Sequence, residues 1–571
     1  MSSLPLAGES DAVVAAGRPG GRRAAVVAHL HKRHVDVLVV GGGAVGCGIA
    51  RDLALRGFSV ALVEQADIAS GTSSRPTRLI HGGLRYLELL DFGLVRSDMR
   101  EREILLRVAP HLVAPLPFLI PLYDKGALER ARLRAGMQLY DLLSYDKSLP
   151  TRRWLDREAT LRAEPTIKAA GLQGAWRYFD AQVPLVERLV VETALDAASQ
   201  GALLLNHARA TRFVRDTSSG AVVGAIVRDD VAGGDIDVRA RLCINATGPW
   251  LDVTTGELRP GRRPLLRLTK GVHLVTPPAT RNANVLFARS DGRLFFVVPW
   301  LGYSLVGTTD TDYAGDPADA VATDDDVRYL ASEARGAFPG APFDHVYYTW
   351  AGVRALVRED GVAEGKVSRK HAILDHEARH GVPGVVSVVG GKLTAYRGIA
   401  EEVGDLVARK LGRAAPGYSD RRQLPGGRLG RVQTYVAEEI APWAAALGLE
   451  RAQAEHLGRV YGALAAEVLR RAEQQPALRQ RACPDNPTIM AELARALDDE
   501  WAVSLSDVLL RRTTLGFDAG QALACLPSIA ERVGALAGWD GDEQRRQMAQ
   551  YQAEIAPMRR HRAADGRPAG P

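Results

Sequence analysis

Residues 36–46 read Asp-Val-Leu-Val-Val-Gly-Gly-Gly-Ala-Val-Gly, a short apolar strand running straight into a G-x-G-x-x-G turn. In this pattern Gly41 allows the tight turn, Gly43 lets a pyrophosphate approach the backbone, and Gly46 lets a helix pack on the strand. The helix that follows, with Ala44 and Val45 at its start, aims its free N–H groups and positive dipole end at that phosphate. A lone motif of this kind is a weak signal in a chain with 57 glycines. Here a second strand, residues 59–63, completes the βαβ unit and ends at Glu64, where a carboxylate can bind a ribose hydroxyl pair. Two further small-residue turns follow predicted strands, Ala246-Thr247-Gly248 and Gly390-Gly391-Lys392-Leu393-Thr394. The βαβ unit alone suits NAD or FAD; three such turns suggest one long, extended ligand contacted at three places.

The chain has 571 residues, 46% hydrophobic and 25% charged, which is ordinary for a soluble globular protein and enough for several domains. A spread net charge of +6 favours anionic substrates or an anionic membrane surface over a nucleic-acid footprint. Cys47, Cys243, Cys483 and Cys525 are far apart and form no CxxC. That spacing argues against a disulfide framework or a metal site and fits a reducing cytoplasm. Cys47, in the first turn of the phosphate-facing helix, reads as a small buried packing residue. No apolar run approaches the roughly 18 residues of a membrane span. Residues 105–123 come nearest, and Arg107, His111 and four prolines interrupt them. Arg22-Arg23 precedes a short apolar run and imitates a twin-arginine signal, but Lys32-Arg33 follows at once. Residues 1–33 are therefore expected to be a flexible extension.

Residues 71–88 are polar and glycine-rich and end in a compact group of His81, Gly82, Gly83, Arg85 and Tyr86. Glycines beside His81 and Arg85 let the backbone come close to a flat ligand. Helices are predicted at 92–109, 185–199 and 396–411, a meander at 222–228 and 235–244, and strands at 271–275, 294–299, 303–307 and 385–389. Residues 424–427 read as a linker, and helical periodicity dominates beyond them. There is no internal repeat, and the tail from about residue 559 is expected to be disordered.

Several segments, in order, resemble the FAD-dependent respiratory glycerol-3-phosphate dehydrogenases. The family's T-S-S stands at Thr72, Ser73 and Ser74, and its L-I-H-G-G-L-R-Y-L-E at Leu79 to Glu88. Its N-A-T-G-P-W is matched at 245–250, K-G-x-H at 270–273 and G-T-T-D-x-x-Y at 307–313. Its G-V-R is matched at 352–354, the later arginine at Arg369 and G-G-K-L-T-x-Y-R at 390–397. The chain departs from the family pattern at residues 75–78, where Arg-Pro-Thr-Arg replaces a Ser-rich loop ending in lysine, at Ala355 in place of a common proline, and at Ala395 in place of a common threonine.

The resemblance implies an α/β protein: a Rossmann-like FAD-binding domain interleaved with a β-rich substrate domain, plus a C-terminal helical domain. The corresponding segments are about 34–110, 185–260 and 350–412 for FAD, 111–184 and 261–349 for substrate, and 424–558 for the helices, with 559–571 as tail. FAD would bind non-covalently along Gly41, Gly43, Ala44, Val45, Gly46 and Glu64. It would also touch Thr72, Ser73, Ser74, Leu79, His81, Gly82 and Gly83, then Ala246, Thr247 and Gly248, and finally Gly391, Lys392, Leu393 and Thr394. The implied reaction moves a hydride from C2 of sn-glycerol 3-phosphate to flavin, giving dihydroxyacetone phosphate. Arg354 and Arg369 are candidates to grip the phosphate, because a guanidinium fork binds it at two points. His273 and His81 are candidates for the proton acceptor. Arg85 and Lys392 would stabilise developing negative charge, and Tyr86 would position substrate.

Electrons would then pass to a membrane quinone at the inner face of the cytoplasmic membrane. The basic, partly apolar stretch 127–137 is the candidate contact, and a homodimer is compatible with the resemblance. Three other readings share parts of this pattern: an oxygen-using glycerol-phosphate oxidase, a flavin amine or amino-acid oxidase, and a flavin-binding module without turnover.

Overall fold

The computed structural model describes residues 19–83, 90–258, 261, 263–358 and 370–563. The strand Val35–Val40 lies at the centre of a mostly parallel sheet, and every residue in it except Asp36 is buried. This near-continuous apolar run suits a strand covered on both faces. It pairs in parallel with Asp235–Asn245 on one side and Val60–Val63 on the other; Val385–Val389 and Leu203–Leu205 extend the sheet. Alternation sends Val37 and Val39 to one face, where helices Ala44–Leu55, Val186–Ser199 and Tyr396–Lys410 share their core. Leu38 and Val40 point to the other face.

That second face corrects one expectation. Residues 19–32, read from the sequence as part of a flexible extension, form the helix Pro19–Lys32. Val26 and Leu30 are buried against Leu38 and the three-stranded meander. The Arg23 guanidinium donates to Asp229 at 2.7 Å and to the Asn206 carbonyl at 2.8 Å. An Ala/Arg-rich segment of low sequence information becomes ordered because it has an uncovered sheet face to bury.

Among the described residues the second sheet has ten strands. Its long strand Leu266–Thr276 pairs along its whole length with Tyr348–Val357, and also with Tyr303–Gly307. The segment starting at 350, assigned by sequence to the nucleotide-binding region, therefore begins inside this sheet. Likewise Leu79 and Ile80 pair with Gln182 and Ala181 of the second sheet.

The C-terminal helices pack directly on both units. Residues 425–427 form a buried turn in place of the expected linker: the Gly426 N–H donates to Glu192 at 3.0 Å, and a Cβ there would lie 2.4 Å from the Tyr461 carbonyl oxygen. The last helix, Gly541–Ala563, runs through the start of the expected disordered tail. Its end is held where Thr349 donates to the Met558 carbonyl at 3.2 Å and Arg560 donates to that of Ala322 at 2.8 Å.

The cysteines give a further correction. Cys483 and Cys525 form a disulfide across 42 residues, with Cα atoms 5.7 Å apart. Spacing rules detect cysteines that are neighbours in sequence, whereas here the fold sets the strand Arg481–Cys483 beside the turn Leu523–Cys525. Cys47 and Cys243 are free and buried; burial raises both thiols, Cys243 to about 12. Closing a loop of this length restricts the unfolded chain and contributes about 2–4 kcal/mol. Reduction with dithiothreitol, or the double change Cys483→Ser/Cys525→Ser, should lower the urea midpoint of the C-terminal helices. An unchanged midpoint would show that the bond adds no stability.

Candidate active site

A cavity of about 410 Å³ lies between the two sheets. The three small-residue turns form one side of it. Gly41 has φ 111°, and a Cβ there would lie 2.6 Å from the Ala246 carbonyl oxygen, so the first two turns touch backbone to backbone. A Cβ on Gly46 would lie 1.8 Å from the Gly41 carbonyl oxygen, which is why only glycine lets the helix sit on the strand. Gly43 caps the helix with no side-chain partner, and a Cβ there would meet only Ser73 Oγ, at 3.1 Å. The Ala44 N–H donates to that same Ser73 Oγ at 2.9 Å. Glu64 accepts from the Gly42 N–H at 2.6 Å and the Ala66 N–H at 2.9 Å; burial raises its carboxyl, opposed by these two donors.

Thr72, Ser73, Leu79, His81, Gly83, Thr247, Gly248, Gly391, Lys392, Leu393 and Thr394 also line the cavity, as do Val45 and Ala246. Gly46, Ser74 and Gly82 do not line it. Ser74 Oγ turns back to the Gly71 carbonyl at 3.1 Å, and Gly82 lies against Met99 and Tyr140. Arg85, Tyr86 and Arg369 fall outside the described residues.

The second sheet supplies the floor. Register sets Thr269 opposite Arg354, Gly271 opposite Gly352 and His273 opposite Trp350, so these six share one face. Gly271 leaves room for the Arg354 guanidinium to lie across it: a Cβ there would be 2.1 Å from Arg354 Nη2. Gly307, paired with both His273 and Phe296, does the same for the His273 ring. Arg354 donates to Thr308 Oγ1 at 2.9 Å and pairs with Asp310 at 3.1 Å. The neighbouring Lys270 takes the other face and pairs with Asp326 at 2.7 Å, away from the cavity.

His273 is buried, its Nε2 lies 2.8 Å from Thr77 Oγ1, and its Nδ1 has no partner among the described residues. Burial first, then the nearby positive charges of Arg354 and Arg78, push its pKa down to about 3, so the imidazole is neutral. The His81 backbone N–H donates to Thr394 Oγ1 at 3.2 Å, and its ring meets Phe296 edge-on. Lys392 is held by an ion pair to the buried Asp98. Burial raises the Asp98 carboxyl to about 6, with Lys392 opposing that rise.

Sequence reasoning missed Thr77, Asp98, Phe296 and Asp310. It also left the 75–78 segment unassigned. In the structure Arg78 is buried and anchors the segment: it binds Glu187 at 2.8 and 2.9 Å and the Pro184 carbonyl at 2.9 Å. Only the alternating register of residues 269–273 could have signalled the floor in advance.

The three-turn cradle, the uncapped helix start at Gly43 and the cavity between the sheets fit FAD, and they define an FAD-dependent oxidoreductase. The family model for FAD dependent oxidoreductases matches residues 36–397, and that for the C-terminal domain of alpha-glycerophosphate oxidase matches residues 418–544. The chain belongs to the FAD-dependent glycerol-3-phosphate dehydrogenase family. A glycerol-3-phosphate dehydrogenase from Synechocystis sp. is 38% identical, over 90% of this chain and 95% of its own length. Glycerol-3-phosphate dehydrogenase 2 of Mycobacterium tuberculosis is 36% identical, over 94% and 90%. The crystal structure of the Bacillus halodurans glycerol-3-phosphate dehydrogenase complexed with FAD superposes with a TM-score of 0.78 at 28% identity, covering 94% of this chain and 97% of that one.

A valine side chain at Gly43 would enter the space left for the pyrophosphate. Gly43→Val should therefore yield a folded, colourless protein, read by flavin absorbance against circular dichroism. A variant that stays fully yellow would move the cofactor elsewhere.

Proposed function

We propose that this chain oxidises sn-glycerol 3-phosphate at C2 to dihydroxyacetone phosphate and passes the electrons to a membrane quinone. The observation that carries the substrate reading is the shared sheet face. It presents an imidazole and a guanidinium to the same cavity that the phosphate-binding turns border. The names of the relatives support the same substrate.

FAD, when bound, supplies the acceptor for the hydride leaving C2. In this reading Arg354, oriented by Asp310 and Thr308, grips the substrate phosphate, and the sequence match adds Arg369 as a second cation. His273 accepts the proton of the C2 hydroxyl, and His81 is the less favoured alternative because its backbone and ring are engaged with Thr394 and Phe296. A phosphate dianion at Arg354 offsets part of the positive field that depresses His273, so substrate binding itself raises the proton affinity of the base. Lys392, held by Asp98, places a positive charge beside the reacting centre, and Arg85 and Tyr86 complete the substrate contacts. The 71–83 segment and the apolar side chains of Leu294, Phe296 and Tyr178 limit water around that centre.

Arg354→Ala removes one charged partner of the phosphate. Such losses cost about 2–5 kcal/mol, a rise of about thirty-fold or more in KM. The weak oxidation of unphosphorylated glycerol should change far less. Equal losses for both substrates would give Arg354 a structural role.

The membrane reading rests on the helix Ala127–Leu143. Leu128 and Leu142 are 85% and 68% exposed, Tyr145 follows at 76%, and Arg130, Arg132 and Arg134 of the same helix are also exposed. An apolar strip beside arginines suits an anionic lipid surface. No described helix is long and apolar enough to cross a membrane, and in this reading the contact is peripheral. A fraction of the protein should sediment with anionic vesicles and leave them in high salt, and quinone analogues should be reduced much faster than oxygen. Full solubility with stoichiometric hydrogen peroxide would instead make it an oxidase.

A further inference from the structure

The base proposed above, His273, borders the cavity but is only 2% exposed. Its Nδ1 is enclosed and has no partner among the described residues. Its other nitrogen, Nε2, is met at 2.8 Å by Thr77 Oγ1. Thr77 itself lines the cavity, and its hydroxyl makes no other hydrogen bond among the described residues. Nε2 is thus the ring nitrogen with a partner among the described residues, and that partner is a cavity-lining hydroxyl, which gives a proton from the cavity a path to the imidazole.

We infer that Thr77 is a catalytic residue of this enzyme, a hydroxyl relay between the C2 hydroxyl of the substrate and His273. A threonine hydroxyl can accept one proton while donating its own, which is what a relay requires. As the C2 O–H bond breaks, its proton forms a new O–H bond at Thr77 Oγ1. The proton already on Oγ1 moves to His273 Nε2. The C2–H electron pair leaves with its hydrogen as hydride to the FAD that the activity supplies, and C2=O forms. The substrate loses one hydride, which carries both electrons to FAD, and one proton, which is taken up by His273 through Thr77.

The backbone holds the relay in place from both sides. Pro76 precedes it and restricts the chain. Arg78 follows it with φ 62°, locked by Glu187 and the Pro184 carbonyl and covered by the Trp300, Trp350 and Phe517 rings at 4.8, 5.1 and 5.0 Å. The charged groups acting on the ring are Arg354, from the strand Tyr348–Val357, and Arg78; both oppose a lasting positive charge on it. The segment 75–78 is where this chain departs from its family's Ser-rich loop, and it is the segment that carries the hydroxyl.

The inference rests on His273 being the proton acceptor, so the test separates the two. Purified FAD-loaded wild type, Thr77→Val, Thr77→Ser and His273→Asn are compared by flavin spectrum, kcat, KM for glycerol 3-phosphate and proton inventory in mixed H2O and D2O. Thr77→Val keeps the shape without the hydroxyl. It should keep the flavin spectrum and a KM within about three-fold, while kcat falls about 100-fold or more, the scale of lost acid–base catalysis. Thr77→Ser should restore most of kcat. The inventory should curve, reporting two protons in flight, in wild type and Thr77→Ser only. Wild-type kcat in Thr77→Val with an inactive His273→Asn would overturn the relay and leave the base. Wild-type kcat in His273→Asn would overturn the base and the relay with it. A linear inventory in wild type would also overturn the relay.

Discussion

The buried guanidinium of Arg78 is the interaction on which the site most depends. One side chain binds the Glu187 carboxylate at the start of a nucleotide-domain helix and the carbonyls of Pro184 and Ser74. It also lies against Trp300 and Trp350 of the second sheet and Phe517 of the C-terminal domain. Taking a charge out of water is costly, and two carboxylate contacts, two carbonyls and three aromatic faces offset that cost here. Removing one partner of such a pair typically costs about 3–5 kcal/mol. The loop that carries Thr72 to Thr77 is thereby fixed to three parts of the chain at once. Its placement over the cavity follows from that anchor, since its own residues are too polar to be held by burial.

Charge balance shapes the rest of the pocket. Two basic groups at the cavity each meet a distinct acid: Lys392 meets Asp98 and Arg354 meets Asp310. His273, between Arg354 and Arg78, has no acid facing it among the described residues and stays neutral. A ligand that brings negative charge to Arg354 changes this balance, whereas a neutral analogue of the same shape leaves it as it was. The substrate's phosphate, in this reading, both binds and prepares the base.

The contrast between Lys270 and His273 shows how finely register decides function. Both belong to the same family pattern, three residues apart. On a strand, an odd separation sends side chains to opposite faces. His273 faces the cavity, while Lys270 pairs with Asp326 behind the sheet. Gly271 and Gly307 then keep the floor low enough for Arg354 and the imidazole to lie flat, and Gly352 leaves room for Arg75.

Much of the nucleotide-binding half was legible in the sequence because its signals are local. A buried-type strand, three glycines at fixed spacing and a helix start within a few residues specify their own geometry, and the small residues of the three turns followed from the same logic. What only the tertiary structure decided were partners far apart in sequence. Thr77 meets His273 across 196 residues, Arg78 meets Glu187 across 109, and Lys392 meets Asp98 across 294. The disulfide, the buried turn at 425–427 and the ordering of residues 19–32 are of the same kind. Periodicity and propensity carry no information about which distant surface will cover a segment. Those contacts exist because a face or a charge left exposed by one element had to be buried or paired by another.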